Sequence, residues 1–142
     1  LDAGRVQCAR VDGGQDMHRS KLAGFIIDCR TDDLSSAAEF WGNALGMEVR
    51  ALPAEEGETY ARLVDPGGDL HVEVQTVSHP SRVHLDIETD DIEAEVRRLE
   101  ALGARRVAQV ETWWVMEAPT GQRFCIVRRS SPAFDSNAHQ WP

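Results

Sequence analysis

The chain contains few cysteines, few basic residues and no long hydrophobic run, and each shortage excludes a class of protein. Its three cysteines, at positions 8, 29 and 125, are widely spaced and include no CxxC pair, so neither a disulfide framework nor a structural zinc knuckle is indicated. No apolar run approaches the roughly 20 residues that span a bilayer, and the N-terminus lacks the apolar core of a secretory signal. We therefore expect a cytoplasmic protein with no membrane partner.

Acidic side chains outnumber basic ones, with 24 Asp plus Glu against 15 Lys plus Arg and a formal net charge of -9. Such a charge repels phosphate backbones and anionic lipid surfaces over long range. Nucleic acid is therefore not an expected partner. The acidic surface serves either solubility or the attraction of a cationic ligand, and the composition leaves both interpretations open.

An internal repeat organises the sequence, because the segment 25–52 recurs at 83–110. Shifting the chain by 58 positions overlays Asp28 on Asp86 and Asp33 on Asp91, and a shift by 57 overlays Leu45-Gly46 on Leu102-Gly103. Matches in register at two places indicate duplication of one structural unit. At 142 residues the two copies have the length of one ordinary domain and are expected to share a core.

Hydrophobic periodicity predicts the order βαβββ in each copy. In both copies a strand is followed by Asp-Asp, which caps a helix, and the helix ends at glycine. In the second copy Asp90 is the predicted cap, with Glu93 completing a capping box. The predicted strands are 22–29, 48–52, 59–64 and 70–77 in the first copy, and 82–88, 105–110, 113–117 and 122–128 in the second.

These elements divide the chain into three parts. Residues 1–20 form a polar N-terminal extension, and the sequence does not tell whether residues 1–16 belong to the native product. Residues 21–130 form a single domain, with module one at 21–78 and module two at 81–130. Residues 131–142 form a C-terminal tail, which Phe134 and Trp141 are expected to anchor.

The repeated modules resemble those of the vicinal oxygen chelate superfamily, and within it the glyoxalase-like branch. The residues that carry the resemblance are Asp28-Cys29-Arg30-Thr31-Asp32-Asp33-Leu34, Phe40-Trp41, Ala44-Leu45-Gly46, His84-Leu85-Asp86-Ile87-Glu88-Thr89-Asp90-Asp91 and Gly121-Gln122-Arg123-Phe124-Cys125. The resemblance implies an α+β fold, the glyoxalase/bleomycin resistance/dihydroxybiphenyl dioxygenase-like fold, in which two tandem βαβββ modules form a cupped, barrel-like mixed sheet with helices outside. It leaves the activity open, because one such fold hosts several chemistries.

The resemblance also implies where a metal would be held. Members with metal chemistry carry His or Gln on the first strand, Glu on the fourth, His on the fifth and Glu on the eighth. Here His84 matches the fifth-strand ligand, whereas Ile26 stands at the first position and Cys125 at the eighth. An aliphatic side chain cannot coordinate an ion, so we expect no family metal. Zinc held by His71, His84, Cys125 and Glu73 is the alternative.

Strand alternation predicts which side chains face the cup. In the fifth strand the apolar set Val83, Leu85 and Ile87 is expected to face the helix, which leaves His84, Asp86 and Glu88 toward the cup or its rim. In the fourth strand Leu70, Val72 and Val74 face the helix, so His71, Glu73 and Gln75 face the cup. A second register would exchange these faces and bury His71 and Glu73 at a cost of several kcal/mol. Trp114 and Met116 are expected to form an apolar wall of the cup.

The predicted function is the binding of a small organic ligand in the cup without the usual metal, by His71, Glu73, His84, Asp86, Trp114 and Cys125. The catalytic candidates are His84, His71 and Glu73, in orienting a ligand or transferring a proton. One alternative is a protein of the bleomycin-resistance type, which sequesters a cationic aromatic antibiotic. Another is a divalent-metal lyase or isomerase of the lactoylglutathione lyase type. A homodimer is expected, because relatives with two modules commonly pair.

Overall fold

The computed structural model describes residues 17–142, and residues 1–16, with Cys8, lie outside the described residues. The fold is α+β, as predicted, and its strands pair in both parallel and antiparallel directions. None of the helices in residues 17–142 has the length and hydrophobicity that a membrane crossing needs. The elements are β1 (His18–Arg30), α1 (Leu34–Leu45), β2 (Glu48–Ala51), α2 (Glu56–Thr59), β3 (Tyr60–Val64), β4 (His71–Val77), β5 (Arg82–Thr89), α3 (Ile92–Ala101), β6 (Arg105–Val110), β7 (Trp113–Glu117), β8 (Arg123–Arg128), α4 (Phe134–Asn137) and β9 (His139–Trp141).

The chain forms two compact units, of which the first, here the N-terminal unit, is Leu22–Asp86. Within it β1 runs parallel to β4, and β3 lies antiparallel to both β4 and β2. The helix α1 packs on one face of this sheet because its apolar stripe matches the alternating apolar residues of the strands. The core they form contains Ile27, Ala38, Ala61, Leu63, Val72 and Val74, with Phe25, Leu34, Trp41 and Met47 packed against it.

The ends of α1 follow the sequence prediction. The side chain of Asp33 accepts a hydrogen bond from the backbone N–H of Ser36 at 3.1 Å, which satisfies one of the free amides of the first turn. Gly46 ends the helix with φ of 70°, in the left-handed region that glycine enters without steric cost. Leu45, the last residue of the helix, is 43% exposed.

Gly24 allows β1 and β4 to approach closely. A Cβ atom added at Gly24 would lie 1.9 Å from the backbone oxygen of His71, its partner across the two strands. Backbone atoms cannot move aside as a flexible side chain can, so the strands would have to separate. We predict that Gly24→Ala lowers the free energy of unfolding by about 2 kcal/mol, the range of an overpacked core. Urea unfolding measures this, with Gly67→Ala as a control at an open position; equal stability of the two variants would contradict it.

The second, C-terminal unit consists of residues 17–21 together with Ile87–Pro142. Within it β7 lies between β6 and β8 in an antiparallel arrangement, and β9 pairs with the first residues of β1. Its core contains Val96 of α3 with Met116 and Ile126, and Ile87, Trp114 and Phe124 pack against these residues.

The predicted orientation of β7 is wrong. Trp114 lies opposite Ile126 and Met116 opposite Phe124, and residues paired across two strands share a face of the sheet. Both side chains therefore point to the α3 core, where Met116 is fully buried. Trp114 contacts the guanidinium of Arg106, whose carbon lies 5.0 Å from the ring centroid.

On β5, His84 and Asp86 share the polar face as predicted, but the apolar face is buried only at its end. Val83 and Leu85 were expected to pack on a helix, but they are 58% and 50% exposed. Ile87 does pack against the core of the C-terminal unit. The carboxylate of Glu88 is fully buried and accepts hydrogen bonds from the backbone N–H groups of Ser130 and Ser131, at 2.8 and 2.9 Å.

The N-terminal end of α3 also differs from the prediction by one residue. Asp91, and not Asp90, caps the helix by accepting a hydrogen bond from the N–H of Ala94 at 3.1 Å. Asp90 is engaged elsewhere, because one carboxylate oxygen accepts from the backbone N–H of Arg19 at 2.8 Å and the other from its guanidinium. A long-range partner that local sequence does not show therefore decides which aspartate caps the helix.

The first strand begins at His18, four residues before the predicted start, so the last residues of the predicted extension are part of the sheet. His18 Nε2 lies 2.7 Å from a carboxylate oxygen of the fully buried Glu95. Burial by itself would raise the pKa of Glu95, but hydrogen bonds from Arg98, His18 and Ser20 outweigh burial and hold that pKa below its ordinary value.

The C-terminal tail is anchored as predicted. Phe134 is fully buried. The indole N–H of Trp141 donates to the hydroxyl of Ser20 at 2.8 Å, and the Arg98 guanidinium carbon lies 3.9 Å from the ring centroid of Trp141. A cation over an indole contributes about 1 kcal/mol, so this contact helps to hold β9 against α3.

Candidate functional site

The sheet of the N-terminal unit has one apolar and one polar face. Val72 and Val74 of β4 lie in the core with α1, so the residues between and beside them point to the opposite face. On that face the imidazole Nε2 of His71 lies 3.3 Å from a carboxylate oxygen of Glu73. The preferred register of the fourth strand is therefore confirmed, and the alternative that buried His71 and Glu73 against a helix is wrong.

His84 is held by a carboxylate that the sequence did not assign to the site. Its Nδ1 lies 2.8 Å from Oδ2 of Asp28, whose side chain is only 2% exposed. A carboxylate accepts but does not donate, so in the neutral imidazole Nδ1 carries the proton and Nε2 keeps its lone pair. The exposed guanidinium of Arg82 is also near, with its Nε 3.6 Å from the same oxygen. The arrangement fixes both the ring orientation and the tautomer of His84.

Asp86 faces the other side of the same imidazole. Its Oδ1 lies 3.7 Å from His84 Nε2, is buried, and has no hydrogen-bond partner among the described residues. Burial, above all, raises the pKa of Asp86 to about 6, the charges of Glu73 and Asp28 act in the same direction, and those of His84 and His71 oppose them. A carboxyl group that exchanges its proton near neutral pH is suited to acid or base chemistry.

Arg62 of β3 is a further member of this face, and sequence reasoning missed it. It lies directly opposite Glu73 in the β3–β4 register, yet its buried Nε has no hydrogen-bond partner and, within residues 17–142, its guanidinium forms no ion pair. Buried guanidinium nitrogens are normally satisfied. The signal was available in β3, because Ala61 and Leu63 alternate with Arg62 and assign it to the face of Glu73.

We call the set Asp28, Arg62, His71, Glu73, His84 and Asp86 the polar cluster. It contains four of the six residues that the sequence predicted for ligand binding, and their charges act on one another, as the pKa of Asp86 shows. Trp114 and Cys125 belong to the C-terminal unit, where Cys125 lies opposite Val115 on β8. Their predicted contact with a ligand stays a prediction. Asp28 had a signal in the sequence, because it overlays Asp86 in the repeat.

The polar cluster matches the metal-binding pattern of the resemblance only in part. Ile26, at the first-strand position, is 3% exposed and lies opposite Glu73 in the β1–β4 register. It has no donor atom, so the four-ligand set is not kept. His84 Nε2 and Asp86 Oδ1, 3.7 Å apart, are two atoms that one divalent ion at about 2 Å from each could join. The residues thus supply part of a site.

Comparison with known proteins identifies the family and the fold. Residues 24–127 match the model of the glyoxalase-like domain. No curated protein matches the chain. Among solved structures, methylmalonyl-CoA epimerase from Mycobacterium tuberculosis is 18% identical with a TM-score of 0.59, over 81% of this chain and 91% of that one.

A second similar structure is the Mn(II)-bound glyoxalase from Novosphingobium aromaticivorans, which is 15% identical with a TM-score of 0.54, over 80% of this chain and 42% of that one. A hypothetical protein from Bacillus halodurans is 11% identical with a TM-score of 0.58, over 80% and 97% of the two chains. At these identities the structures establish the fold alone. The family match covers most of the chain, and we conclude that the protein belongs to the glyoxalase-like domain family within the vicinal oxygen chelate superfamily.

Proposed function

We propose that the polar cluster binds a small organic carboxylate and that His84 transfers a proton to or from a carbon atom of that ligand. The observation that supports the proposal is the hydrogen bond between His84 Nδ1 and Asp28 Oδ2, at 2.8 Å. It leaves Nε2 of His84 available as a base on the side of Asp86. A histidine whose second nitrogen is held by a carboxylate is a recurrent arrangement for general base catalysis. Proton transfer by such a group contributes about 10² to 10⁴ in rate.

The proton transfer converts the ligand into an enolate. The ligand C–H bond breaks, its electron pair moves into an adjacent carbonyl group, and the proton forms a bond with Nε2 of His84. Asp28 stabilises the resulting imidazolium through the hydrogen bond to Nδ1. Asp86, with its pKa raised to about 6 chiefly by burial, is protonated in part near neutral pH and can deliver a proton to the carbanion. Return of a solvent-derived proton to that carbon completes the exchange.

The buried, unpartnered Nε of Arg62 favours a ligand that carries a carboxylate. A buried guanidinium nitrogen without a partner carries a desolvation penalty that an anion would remove. The names of two similar structures, methylmalonyl-CoA epimerase and glyoxalase, suggest the first compounds to try. Methylmalonyl-CoA carries a carboxylate beside an acidic C–H group and is the first probe, and lactoylglutathione is the second.

Deuterium exchange tests the proposal without knowledge of the product. Each probe is incubated with the protein in D₂O, and deuterium at the carbon next to the carbonyl is measured by mass spectrometry. We expect exchange well above the rate without protein for at least one probe. Binding of free methylmalonate, measured by isothermal titration calorimetry, separates recognition of the carboxylate from recognition of the coenzyme. Absence of both exchange and binding for all three compounds would contradict the proposal.

Arg62 gives a prediction on affinity. Replacing Arg62 with methionine keeps the length of the side chain and removes its charge, so methylmalonate is expected to bind at least about 10-fold more weakly, in line with about 1.5 to 3 kcal/mol for a charged hydrogen bond. Titration calorimetry measures the effect. The control is Arg50→Met, since Arg50 lies opposite Arg62 in the β2–β3 register but has a side chain that is 62% exposed. Equal affinities for the two variants would show that Arg62 does not contact the anion.

A divalent-metal reaction is the second candidate, because Asp86 Oδ1 is buried without a hydrogen bond beside His84 Nε2. In that case His84 and Asp86 would hold the ion, which would polarise the ligand carbonyl. Metal analysis after dialysis against zinc or manganese decides between the candidates. One ion per chain that is lost in His84→Gln would favour the metal. The predicted homodimer is a separate question, which light scattering answers.

A further inference from the structure

A cavity lies on the α1 side of the sheet in the N-terminal unit. It has a volume of about 620 Å³ and is formed by α1, β2, α2 and the start of β3. Much of its lining is apolar, and Ala38 and Ala61, which line it, also belong to the core beneath α1. The polar cluster extends from the other face of this sheet, where His71 and Glu73 lie. The residues that form this α1-side pocket are Leu34, Ser35, Ala38, Glu39, Asn43, Met47, Glu48, Val49, Ala51, Gly57, Glu58, Tyr60 and Ala61.

Among the described residues, the charged side chains that line the α1-side pocket are three glutamates, Glu39, Glu48 and Glu58. Within residues 17–142, neither Glu39 nor Glu58 forms an ion pair or a side-chain hydrogen bond. Glu48 has a single weak partner, the exposed Arg50, at 3.7 Å. Three carboxylates around an apolar cavity produce a negative potential that the low-dielectric walls concentrate.

The shape of the pocket depends on a close approach of α1 to β2. A Cβ atom at Gly42 would lie 2.8 Å from Cγ2 of Val49 and 2.9 Å from the backbone oxygen of Met47. The glycine therefore lets the helix lie against the strand and leaves the concave space next to this contact. A cavity of this volume, with apolar walls and few polar groups, lies within the range of small-molecule sites.

We propose that the α1-side pocket binds an organic cation, an amine or guanidine attached to an apolar or aromatic body. The apolar walls accept the body, and Glu39 and Glu58 lie where they can pair with the charge. An organic anion would meet only like charges there, and a bare metal ion would gain nothing from the apolar lining. The net charge of -9 also attracts cations to the protein as a whole. This site is independent of the proton-transfer function proposed above.

Three naphthalene probes of matched shape test the charge requirement: 1-naphthylmethylamine, 1-naphthalenemethanol and 1-naphthylacetate. Fluorescence anisotropy of the naphthalene ring measures binding to the full chain. We expect the amine to bind, the alcohol to bind at least about 5-fold more weakly, and the acetate not to bind, since each exposed carboxylate contributes up to about 1 kcal/mol. Amine affinity should fall as salt increases, because these carboxylates are exposed.

Variants locate the site. The double variant Glu39→Gln with Glu58→Gln is expected to lower the affinity for the amine by about 5-fold or more. Glu56→Gln, which lies on the same short helix as Glu58 but outside the lining, should leave that affinity unchanged. Ala51→Trp fills the pocket from an exposed lining position and should abolish binding of both amine and alcohol. His84→Gln should have no effect, which separates this site from the polar cluster. Equal binding of amine and alcohol, or full amine affinity in Ala51→Trp, would overturn the proposal.

Discussion

Replacing His84 with glutamine is expected to slow deuterium exchange into the responsive probe by at least about 100-fold, the lower limit for a general base. Glutamine is close in size and can still donate to Asp28, so the packing of β5 should survive. It has no group that takes up a proton near neutral pH. The measurement is the exchange rate at saturating probe, which isolates the chemical step from binding.

The matched control is His79→Gln. His79 is a partly exposed histidine of the same unit; its Nδ1 lies 2.9 Å from the carbonyl oxygen of Pro80, and it forms no ion pair within residues 17–142. Its replacement should leave the exchange rate unchanged. If His84→Gln retained the rate of the wild type, His84 would not be the base, and a step through another group of the polar cluster would have to be considered.

Asp28 is a positioning residue in this scheme, since it acts through His84. Asp28→Asn keeps the shape of the side chain but offers an N–H group as well as an oxygen, which permits the other tautomer of His84. The variant should lower the maximal exchange rate with little change in the affinity for methylmalonate, and it should alter the pH profile of exchange. A purely structural role would instead reduce the amount of folded protein and leave the profile unchanged.

The sequence predicted the fold because the internal repeat and the alternation of apolar and polar residues within the strands indicate the same arrangement. The repeat in steps of 57 and 58 residues fixed the two modules, and within β4 the alternation of Val72 and Val74 with polar residues identified the buried face, as the α1 core confirms. Where both faces carry apolar residues the pattern is ambiguous. Trp113 and Trp114 are adjacent, so alternation alone could not orient β7, and the pairing with Phe124 and Ile126 decides it.

The site was predictable only in its histidines and in the carboxylates on their strands. His71, Glu73, His84 and Asp86 follow from strand position and from the resemblance. The link between His84 and Asp28 joins residues 56 positions apart, and only the three-dimensional arrangement shows which of the many acidic residues completes it. Arg62 was missed for a similar reason, because burial without a partner is a property of the folded chain and not of the residue type.

Asp86 is expected to lower the stability of the folded protein at the pH where it would function. Its pKa is 3.8 in a model peptide and about 6 in the folded chain, chiefly because of burial. Between these values the folded state holds more protons than the unfolded state, so the free energy of unfolding falls as pH rises through this window. Above pH 6 the full penalty applies, which the two pKa values set at about 3 kcal/mol for this largely buried side chain.

Asp86→Asn removes this penalty because the amide does not ionise. We therefore expect the variant to be more stable than the wild type by about 2 to 3 kcal/mol at pH 8, with the gain disappearing at about pH 3, where Asp86 is protonated in both states. Urea unfolding at the two pH values measures the difference, with Glu56→Gln as a control for the loss of an exposed negative charge. A gain of equal size at both pH values, or none at pH 8, would refute the assignment.

The same substitution should remove the proton donor from the polar cluster, so a stabler protein with slower exchange would indicate that Asp86 is retained for chemistry at the expense of stability.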